Sequence, residues 1–315
     1  MGERQAPYVT LDVFSTRRFQ GNPVAIVKIL DDWELSQDQK QRIAKEFNFS
    51  ETVFLHARGK NPRVDIFTPV NEMEFAGHPV IGAGHLLFRE LAGSSSTQTT
   101  TLTLATKAGP VPLTYDQAGQ LVRATVPQDI HVHQQQAALA QICAVQSCLN
   151  AVSDLYDVKA THPVVSMVRG VTYALVDLTK REDLFAGLVP GGSPRLDLDE
   201  GWTPSFTGVM YYRLLDSRVD IESNIMVWDL RVRMIAINLE DPACGSGGCS
   251  LGAYLALSNG HESQNHRFNI EQGLEMGRHS RIVVDVLLDE EGRRVVEVKL
   301  AGQAAFVAEG RIYVE

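Results

Sequence analysis

The chain consists largely of short segments rich in β-branched and aromatic residues, each bounded by glycine, proline or asparagine. Most of these segments follow one another at intervals of about 8–12 residues, a spacing typical of short strands joined by turns. The pattern favours antiparallel sheets over a series of strand–helix–strand repeats. The predicted strands are 8–14, 24–30, 52–56, 63–67, 99–106, 109–115, 120–126, 164–167, 171–178, 208–214, 218–223, 233–239, 281–288, 294–299, 304–308 and 311–314.

Helices are few in this pattern. The segment 36–47 begins with a capping box, in which the side chains of Ser36 and Gln39 satisfy backbone N–H groups of the first turn. Shorter helices are predicted at 134–145 and 181–188.

Two further helices begin near Gly77 and Gly245 and continue over residues 80–91 and 250–257. They consist mainly of small and apolar residues with almost no charge. Because a helix without a polar face is a buried helix, each is predicted to be the central helix of a strand-rich half.

The length of 315 residues suits two domains. Aligning Gly77 with Gly245 also places Gly84 on Gly252, which indicates a diverged internal repeat. The chain is therefore predicted to be an α+β protein of two similar halves, each with a sheet around one helix. The predicted boundaries are 1–127 for the first half, 128–303 for the second, and 304–315 for a strand that returns to the first half.

Composition excludes several classes of protein. The chain has 29 basic and 38 acidic residues, a net charge of −9, and no basic cluster, so nucleic acid and anionic membranes are not expected as partners. It has four cysteines, too few for a disulfide scaffold, and their spacing lacks the Cys-x-x-Cys pattern of a zinc site. The first residues carry no apolar leader, and no segment is long enough to span a membrane, so a reducing cytoplasmic setting is expected.

The glycine-rich helix starts are candidate anion sites. A helix N-terminus presents unpaired N–H groups and a partial positive charge, and Gly77, Gly245 and Gly247 would let a carboxylate or phosphate approach the backbone. The alternative is close packing that merely requires small residues. The run from Gly245 resembles a dinucleotide-binding loop, but Ser250 replaces its last glycine and the surrounding strand–helix–strand pattern is missing.

Four side chains could carry proton chemistry. Glu51 lies in an apolar segment, where burial would raise the pKa of its carboxyl group, although a salt-bridged or capping glutamate is the alternative. His78 could donate a hydrogen bond or relay a proton, or be purely structural. Asp241 could be an ordinary helix cap. Cys244 could form a thiolate at its helix start or be a buried, inert thiol.

Several longer motifs occur along the chain in a fixed order. Together they resemble the motifs of the PhzF-like, phenazine biosynthesis-like isomerases, which share the diaminopimelate epimerase fold. The motifs are D-V-F at 12–14, F-x-G-N-P-V-A at 19–25, F-S-E-T-V-F at 49–54, F-T-P-V-N-E at 67–72, F-A-G-H-P-V-I-G at 75–82, E-D-P-A-C-G-S-G at 240–247 and Q-G-x-E-M-G-R-H-S at 272–280.

The resemblance implies two pseudo-symmetric halves, each a barrel-like sheet around a central helix, with the active site in the cleft between them. It implies proton removal from one carbon and delivery to another without a metal or organic cofactor, on a small carboxylate-bearing substrate, in a homodimer. The implied catalytic residues are Glu51 as general acid/base with His78, Asp241 and Ser246 positioning substrate and relaying protons. The implied substrate-binding residues are Ser50, Gly77, Cys244, Gly245 and Gly247.

One departure from the family pattern leaves alternatives open. Cys244 stands where the family commonly has threonine, which makes the segment similar to that of the diaminopimelate epimerases. An epimerase of that type needs a second thiol, and the equivalent position holds Ala76. The leading hypothesis is therefore a cofactor-independent isomerase. The alternatives are an epimerase or racemase that uses Cys244 as one base, and a non-catalytic small-molecule binder on the same fold.

Overall fold

A computed structural model of the chain describes residues 4–30, 34–57, 62–94, 100–151 and 155–314. The chain divides into two compact units, the first formed by Met1–Pro127 with Leu300–Glu315 and the second by Gln128–Lys299. No helix within the described ranges is both long and apolar enough to cross a membrane.

The strands and helices follow one another in a similar order in the two units. In chain order they are β1 (Arg4–Val13), β2 (Asn22–Ile29), α1 (Gln37–Phe47), β3 (Thr52–His56), β4 (Arg63–Phe67), β5 (Glu72–Met73), α2 (Gly77–Ser94), β6 (Thr101–Thr106), β7 (Gly109–Asp116), β8 (Leu121–Thr125), β9 (His131–Val132), β10 (Ala137–Ala138), α3 (Leu139–Val145), α4 (Ser147–Asn150), β11 (Thr161–His162), β12 (Val164–Val168), β13 (Val171–Asp177), α5 (Glu182–Ala186), β14 (Phe206–Asp220), β15 (Ile225–Ala236), β16 (Leu239–Asp241), α6 (Gly245–Ser258), β17 (Asn265–Gln272), β18 (Ser280–Leu288), β19 (Val295–Gly302) and β20 (Ala304–Val314).

The first unit is a curled sheet around α2. Its strands are hydrogen-bonded in the order β8-β7-β6-β4-β3-β2-β1-β20. Helix α2 contacts β8 at one end of this row, β20 at the other end, and β1, β2 and β3 between them. Since one helix reaches both ends of the row, the sheet wraps around it, as predicted from its apolar composition.

The second unit repeats this arrangement around α6. Its strands are hydrogen-bonded in the order β9-β12-β13-β14-β15-β17-β18. Helix α6 contacts β12 and β13 towards one end of the row and β17 and β18 at the other. The fold is therefore α+β with two similar halves, each a strand-rich sheet around a central helix.

The prediction of purely antiparallel sheets was wrong in part. Within the described residues, β2–β3, β4–β6, β13–β14 and β15–β17 pair in parallel. Each of these pairs is joined through a helix, namely α1, α2, α5 and α6. Parallel neighbours need such a crossover, so strand–helix–strand units do occur, two in each half. Hairpins between them keep the strand spacing short and conceal the crossovers in the sequence.

The crossovers also reveal the internal repeat. In the first half β2-α1-β3 is followed by β4, the short β5, α2, β6 and β7, and in the second half β13-α5-β14 is followed by β15, the short β16, α6, β17 and β18. Corresponding strands pair with the same direction in both halves. Gly77 and Gly245 are each the first residue of the central helix.

Two glycines explain why these central helices are built from small residues. A Cβ atom added at Gly84 would lie 2.7 Å from Cγ1 of Val122, and one added at Gly252 would lie 2.9 Å from Cδ2 of Phe268. Each glycine therefore allows its helix to approach a strand of its own sheet closely.

Several predicted elements change in extent. The predicted strands 208–214 and 218–223 form the single strand β14, whose register shifts between Leu214 and Asp216. The predicted strands 304–308 and 311–314 likewise form β20. The predicted strand 99–106 is found as β6, and residue 99 lies outside the described residues.

The predicted helices are found, and β17 is the longest strand that was not predicted at any of its residues. The capping box of α1 is confirmed: Ser36 Oγ accepts from the Gln39 N–H at 3.2 Å, and Gln39 Oε1 accepts from the Ser36 N–H at 2.9 Å. Helix α3 begins later than predicted, at Leu139. Strand β17 was not predicted, because two of its buried positions are the polar residues His266 and Gln272.

Candidate active site

The first group of site residues lies between α1 and β3. Asn48 ends α1 in the left-handed conformation, with φ of 51°, and the chain then turns into the buried strand β3. Glu51 is the residue directly before that strand, and its side chain is only 16% exposed. Its Oε2 atom is buried and has no hydrogen-bond partner among the described residues. This oxygen atom therefore takes part in neither a helix cap nor a hydrogen-bonded ion pair.

His78 is the second residue of α2 and is buried. Its Nε2 atom lies 3.6 Å from Oε2 of Glu51, slightly beyond hydrogen-bonding distance. Burial raises the pKa of Glu51, and a hydrogen bond from Ser50 opposes that rise. Ser50 Oγ also lies 3.4 Å from Asn22 Oδ1. A carboxyl group in these surroundings can hold and release a proton closer to neutral pH than an exposed glutamate can.

The second group of residues lies at the start of α6, where Cys244 is the N-cap. Its Sγ atom accepts the N–H of Gly247 at 3.3 Å. Burial, and secondarily the charge of Asp241, raises the pKa of the Cys244 thiol to about 12. A helix start by itself favours a thiolate, but desolvation outweighs that effect and keeps the thiol protonated, as in the buried, inert thiol considered for Cys244.

The glycines of this helix start divide into two roles. The Gly247 N–H is engaged by Cys244 Sγ, and a Cβ atom at Gly247 would collide with Met210, so this glycine serves packing. The role of the Gly247 backbone in binding substrate stays a prediction. The N–H groups of Gly245 and Ser246 have no acceptor within the described parts of the chain and remain suited to an anion.

Tyr173 is a site residue that the sequence did not reveal. Its hydroxyl group lies 2.7 Å from Ser246 Oγ and 3.3 Å from Cys244 Sγ. Burial raises the pKa of Tyr173 well above its ordinary value, so the hydroxyl group keeps its proton. A tyrosine within the apolar strand β13 is indistinguishable in sequence from an ordinary core residue.

Asp241 and Gln272 fix the turn before α6. Asp241 Oδ1 accepts the N–H of Ala243 at 2.9 Å, which closes a local turn before the helix; the N-cap of α6 is Cys244 and not Asp241. Gln272 donates from Nε2 to the Asp241 carbonyl at 2.7 Å and accepts the Cys244 N–H at Oε1 at 3.1 Å. Gln272 was missed as a site residue, although it opens one of the family motifs.

A buried ion pair anchors the same hairpin. Arg233 of β15 and Glu240 of β16 are each 4% exposed, and they form two charge-assisted hydrogen bonds, Nη2 to Oε2 at 2.6 Å and Nε to Oε1 at 2.8 Å. Arg233 Nη1 also donates to the Phe185 carbonyl at 3.0 Å. Glu240 directly precedes Asp241, so the approach to α6 is held from both sides of the hairpin.

The structure therefore gathers the predicted residues in two groups. The first unit contains Ser50, Glu51, Gly77 and His78, a carboxyl–imidazole pair at a helix start. The second unit contains Asp241, Cys244, Gly245, Ser246 and Gly247, a helix start with open N–H groups and a hydroxyl pair. Neither group has the arrangement of a metal site. Among the described residues, the side chains grouped as metal ligands are His131, His133 and Asp199, outside both groups.

The chain is similar to known proteins over nearly its whole length. Residues 11–310 match the family model for phenazine biosynthesis-like protein. A relative from Pseudomonas aeruginosa named trans-2,3-dihydro-3-hydroxyanthranilate isomerase is 30% identical over 310 residues, covering 97% of this chain and 99% of that protein.

Solved structures agree with the fold. The phenazine biosynthesis protein of the PhzF family from Bacillus anthracis superposes with a TM-score of 0.75 at 22% identity, covering 99% of this chain and 100% of that one. A hydroxyproline epimerase from Agrobacterium vitis superposes with a TM-score of 0.57 at 15% identity, covering 98% of this chain and 93% of that one. Family model and relative together show that the chain belongs to the phenazine biosynthesis-like family and is an isomerase of the PhzF-like type.

Proposed function

We propose that the protein is a cofactor-independent isomerase that transfers a proton between two carbons of a small carboxylate-bearing metabolite, with Glu51 as the general acid/base. The observation that carries this proposal is the buried Oε2 of Glu51, which has no hydrogen-bond partner among the described residues and faces His78 Nε2 at 3.6 Å. A buried carboxyl oxygen without a hydrogen-bond donor is costly for the folded protein, and such costs are retained where function requires them.

The proposed reaction needs only one proton carrier. The carboxylate of Glu51 removes a proton from one carbon, the electrons of that C–H bond shift the adjacent double bond, and protonated Glu51 returns the proton to the carbon at the other end. Glu51 ends the cycle as it began, so no oxidant, reductant or cofactor is consumed. His78 lies beside the carboxyl group and would help to hold the proton in position during this transfer.

The substrate carboxylate is proposed to bind at helix starts. The open N–H groups of Gly245 and Ser246 are donors of the required kind, and Ser246 Oγ adds a hydroxyl group. That the groups in the two units serve a single substrate stays a prediction of the family resemblance.

An epimerase with Cys244 as one base is the weaker alternative. Its thiol has a pKa raised to about 12, and its sulfur atom is engaged as a helix cap. Both features oppose a thiolate that removes protons near neutral pH.

The test is proton exchange in heavy water. Trans-2,3-dihydro-3-hydroxyanthranilate, for which the Pseudomonas aeruginosa relative is named, is tested first, followed by a panel of small unsaturated carboxylates, with deuterium uptake followed by mass spectrometry. Glu51→Gln should slow exchange by roughly 10²–10⁴-fold, the usual contribution of a general acid/base. Glu46→Gln, the same chemical change at an exposed position of α1, should retain it.

Two results would overturn the proposal. One is full exchange by Glu51→Gln. The other is the absence of both an enzyme-dependent isomer and enzyme-dependent deuterium in every compound of the panel.

A further inference from the structure

We propose that the second unit contains a binding site for a first-row divalent metal ion such as Zn²⁺, formed by His131, His133 and Asp199. The ligand atoms of these three side chains lie within 4.8 Å of one another. Two imidazoles and one carboxylate form a donor set that suits zinc and its neighbours in the periodic table. The site is separate from the residues of the proposed reaction and does not depend on that proposal.

The two histidines are placed by a strand. His131 belongs to β9, which pairs with β12, and His133 follows one residue after the strand ends. Residues two apart on an extended chain point to the same side, so both rings face Asp199. His131 Nε2 lies 2.7 Å and His133 Nδ1 lies 3.8 Å from Asp199 Oδ2. Two ligand atoms on a tetrahedral zinc ion stand roughly 3.3 Å apart, so a small movement of the carboxylate opens the space for an ion.

The hydrogen bonds around His133 determine which of its nitrogen atoms carries the proton. Ser205 Oγ is placed to donate its hydrogen to the Phe206 carbonyl at 3.0 Å, and with that bond made it accepts from Thr172 Oγ1 at 2.8 Å. Thr172 must then accept from Ser166 Oγ at 2.7 Å. Ser166, in turn, must accept from His133 Nε2 at 2.8 Å. The proton therefore lies on Nε2.

The Nδ1 atom of His133 is consequently a lone-pair donor aimed at Asp199. The backbone N–H of Asp199 confirms this assignment, because it donates to Nδ1 at 3.1 Å. An imidazole that donates its other N–H to a fixed oxygen atom is the usual form of a metal-bound histidine, since that bond sets both tautomer and ring orientation. An ion would replace the Asp199 N–H at Nδ1 and the proton that His131 Nε2 shares with the carboxylate.

Burial and access also suit an ion. The His133 side chain is fully buried, whereas those of His131 and Asp199 are 33% and 21% exposed, so solvent reaches one side of the cluster. Trp202 forms a wall, with its ring stacked on that of His131 at 4.6 Å between centroids. An ion here would tie the segment containing Asp199 to β9 and act as a structural clip.

The experiment is titration of the full-length protein with Zn²⁺ by calorimetry and with Co²⁺ by visible absorption. The expected result is one ion bound per chain, with cobalt bands lacking the intense charge-transfer absorption of thiolate ligands. Ser166→Ala removes a residue that only holds a metal ligand in place, and such losses weaken metal binding roughly 10–100-fold. His131→Gln and Asp199→Asn each remove a ligand and should weaken binding by at least as much. His261→Gln, at a histidine of the same unit with a side chain 76% exposed, should bind like the unaltered protein.

Circular dichroism establishes that each variant is folded, and the zinc-induced rise in the unfolding midpoint gives an independent readout. That rise should be lost in His131→Gln and Asp199→Asn. Binding that survives both substitutions unchanged, or an unaltered protein that binds zinc no more tightly than these variants, would overturn the site.

Discussion

At the scale of single residues, burial acts in the same direction on Glu51 and Cys244 but with opposite chemical results. It raises the pKa of Glu51 from the ordinary value of 4.5, which brings the carboxyl group towards neutral pH. It raises the pKa of Cys244 from 9.0 to about 12, which takes the thiol away from neutral pH. Burial therefore brings the pKa of the proposed acid/base Glu51 closer to neutral pH and takes the pKa of the alternative base Cys244 further from it.

The raised pKa of Glu51 predicts how stability changes with pH. A carboxyl group with a higher pKa in the folded than in the unfolded chain stabilises the fold at low pH, and that contribution is lost as pH rises through the folded pKa. Glu51→Gln should thus match the unaltered protein below about pH 4.5 and become the more stable of the two as pH rises above it. Urea unfolding across pH measures this difference, with Glu46→Gln as the exposed control. A stability advantage of the unaltered protein that grows with pH would contradict the argument.

The capping role of Cys244 predicts which substitutions it tolerates. Cys244→Ser keeps an acceptor for the Gly247 N–H and should retain both stability and deuterium exchange. Cys244→Ala removes the acceptor and should cost about 1 kcal/mol of unfolding free energy while leaving exchange within a few-fold. A buried, protonated thiol should also react slowly with iodoacetamide. Loss of exchange in Cys244→Ser would instead support the epimerase alternative.

At the scale of elements, the central helices depend on the absence of Cβ atoms at two aligned glycines. Gly84→Ala would press on Val122, and Gly252→Ala on the ring of Phe268. Each should lower the free energy of unfolding by about 1–3 kcal/mol. Gly248→Ala is the matched control, because its nearest neighbour is the end of the Ile270 side chain at 3.2 Å, which can move. Thermal or urea unfolding that ranks Gly248→Ala as the most harmful of the three would refute this account.

Much of this architecture could be predicted from local pattern. The two helices with almost no charge were predicted to be buried, and Ser36 and Gln39 located the start of α1. Strand β17 escaped because His266 and Gln272 occupy core-facing positions, where hydrogen bonds rather than apolar contacts justify their burial. The parallel strand pairs were not predicted, because the direction of pairing is set by crossovers over long stretches of chain. The spacing of strands along the sequence does not encode those crossovers.

The candidate site was predictable to a different degree in each unit. Glu51 and His78 stand in motifs and were named in advance. Tyr173 could not be named, since its role depends on a hydroxyl group that meets Ser246 and Cys244 only after folding. The engagement of the Gly247 N–H by a sulfur atom was equally hidden, because cysteine is not among the usual capping residues.

At the scale of the whole molecule, the first unit is completed by the end of the chain. Strand β20 pairs with β1 along its length, from Arg4 opposite Val314 to Val13 opposite Ala304. The second unit ends at Lys299, within β19, and not at residue 303 as predicted. The first sheet is thus assembled from two distant parts of the chain.

That assembly predicts a local response to truncation. Removing residues 304–315 would leave one edge of β1 without its partner, so the amides of β1 should lose at least about tenfold in hydrogen-exchange protection. The amides of β14 and β15 lie in the second unit and should keep their protection, which provides an internal control. Unchanged protection in β1, or an equal loss in both units, would contradict the description of β20 as part of the first unit.

The ion pair between Arg233 and Glu240 has a consequence for behaviour on heating. Both side chains are almost fully removed from water, and the hydration that charged groups forgo on burial becomes less favourable as temperature rises. The cost of keeping this pair inside the protein therefore falls with warming, while hydrophobic contacts gain no comparable advantage. The hairpin that precedes α6 and contains Asp241 is thus stabilised by an ion pair whose cost decreases on heating. It should be among the last parts of the second unit to unfold as the protein approaches its melting temperature.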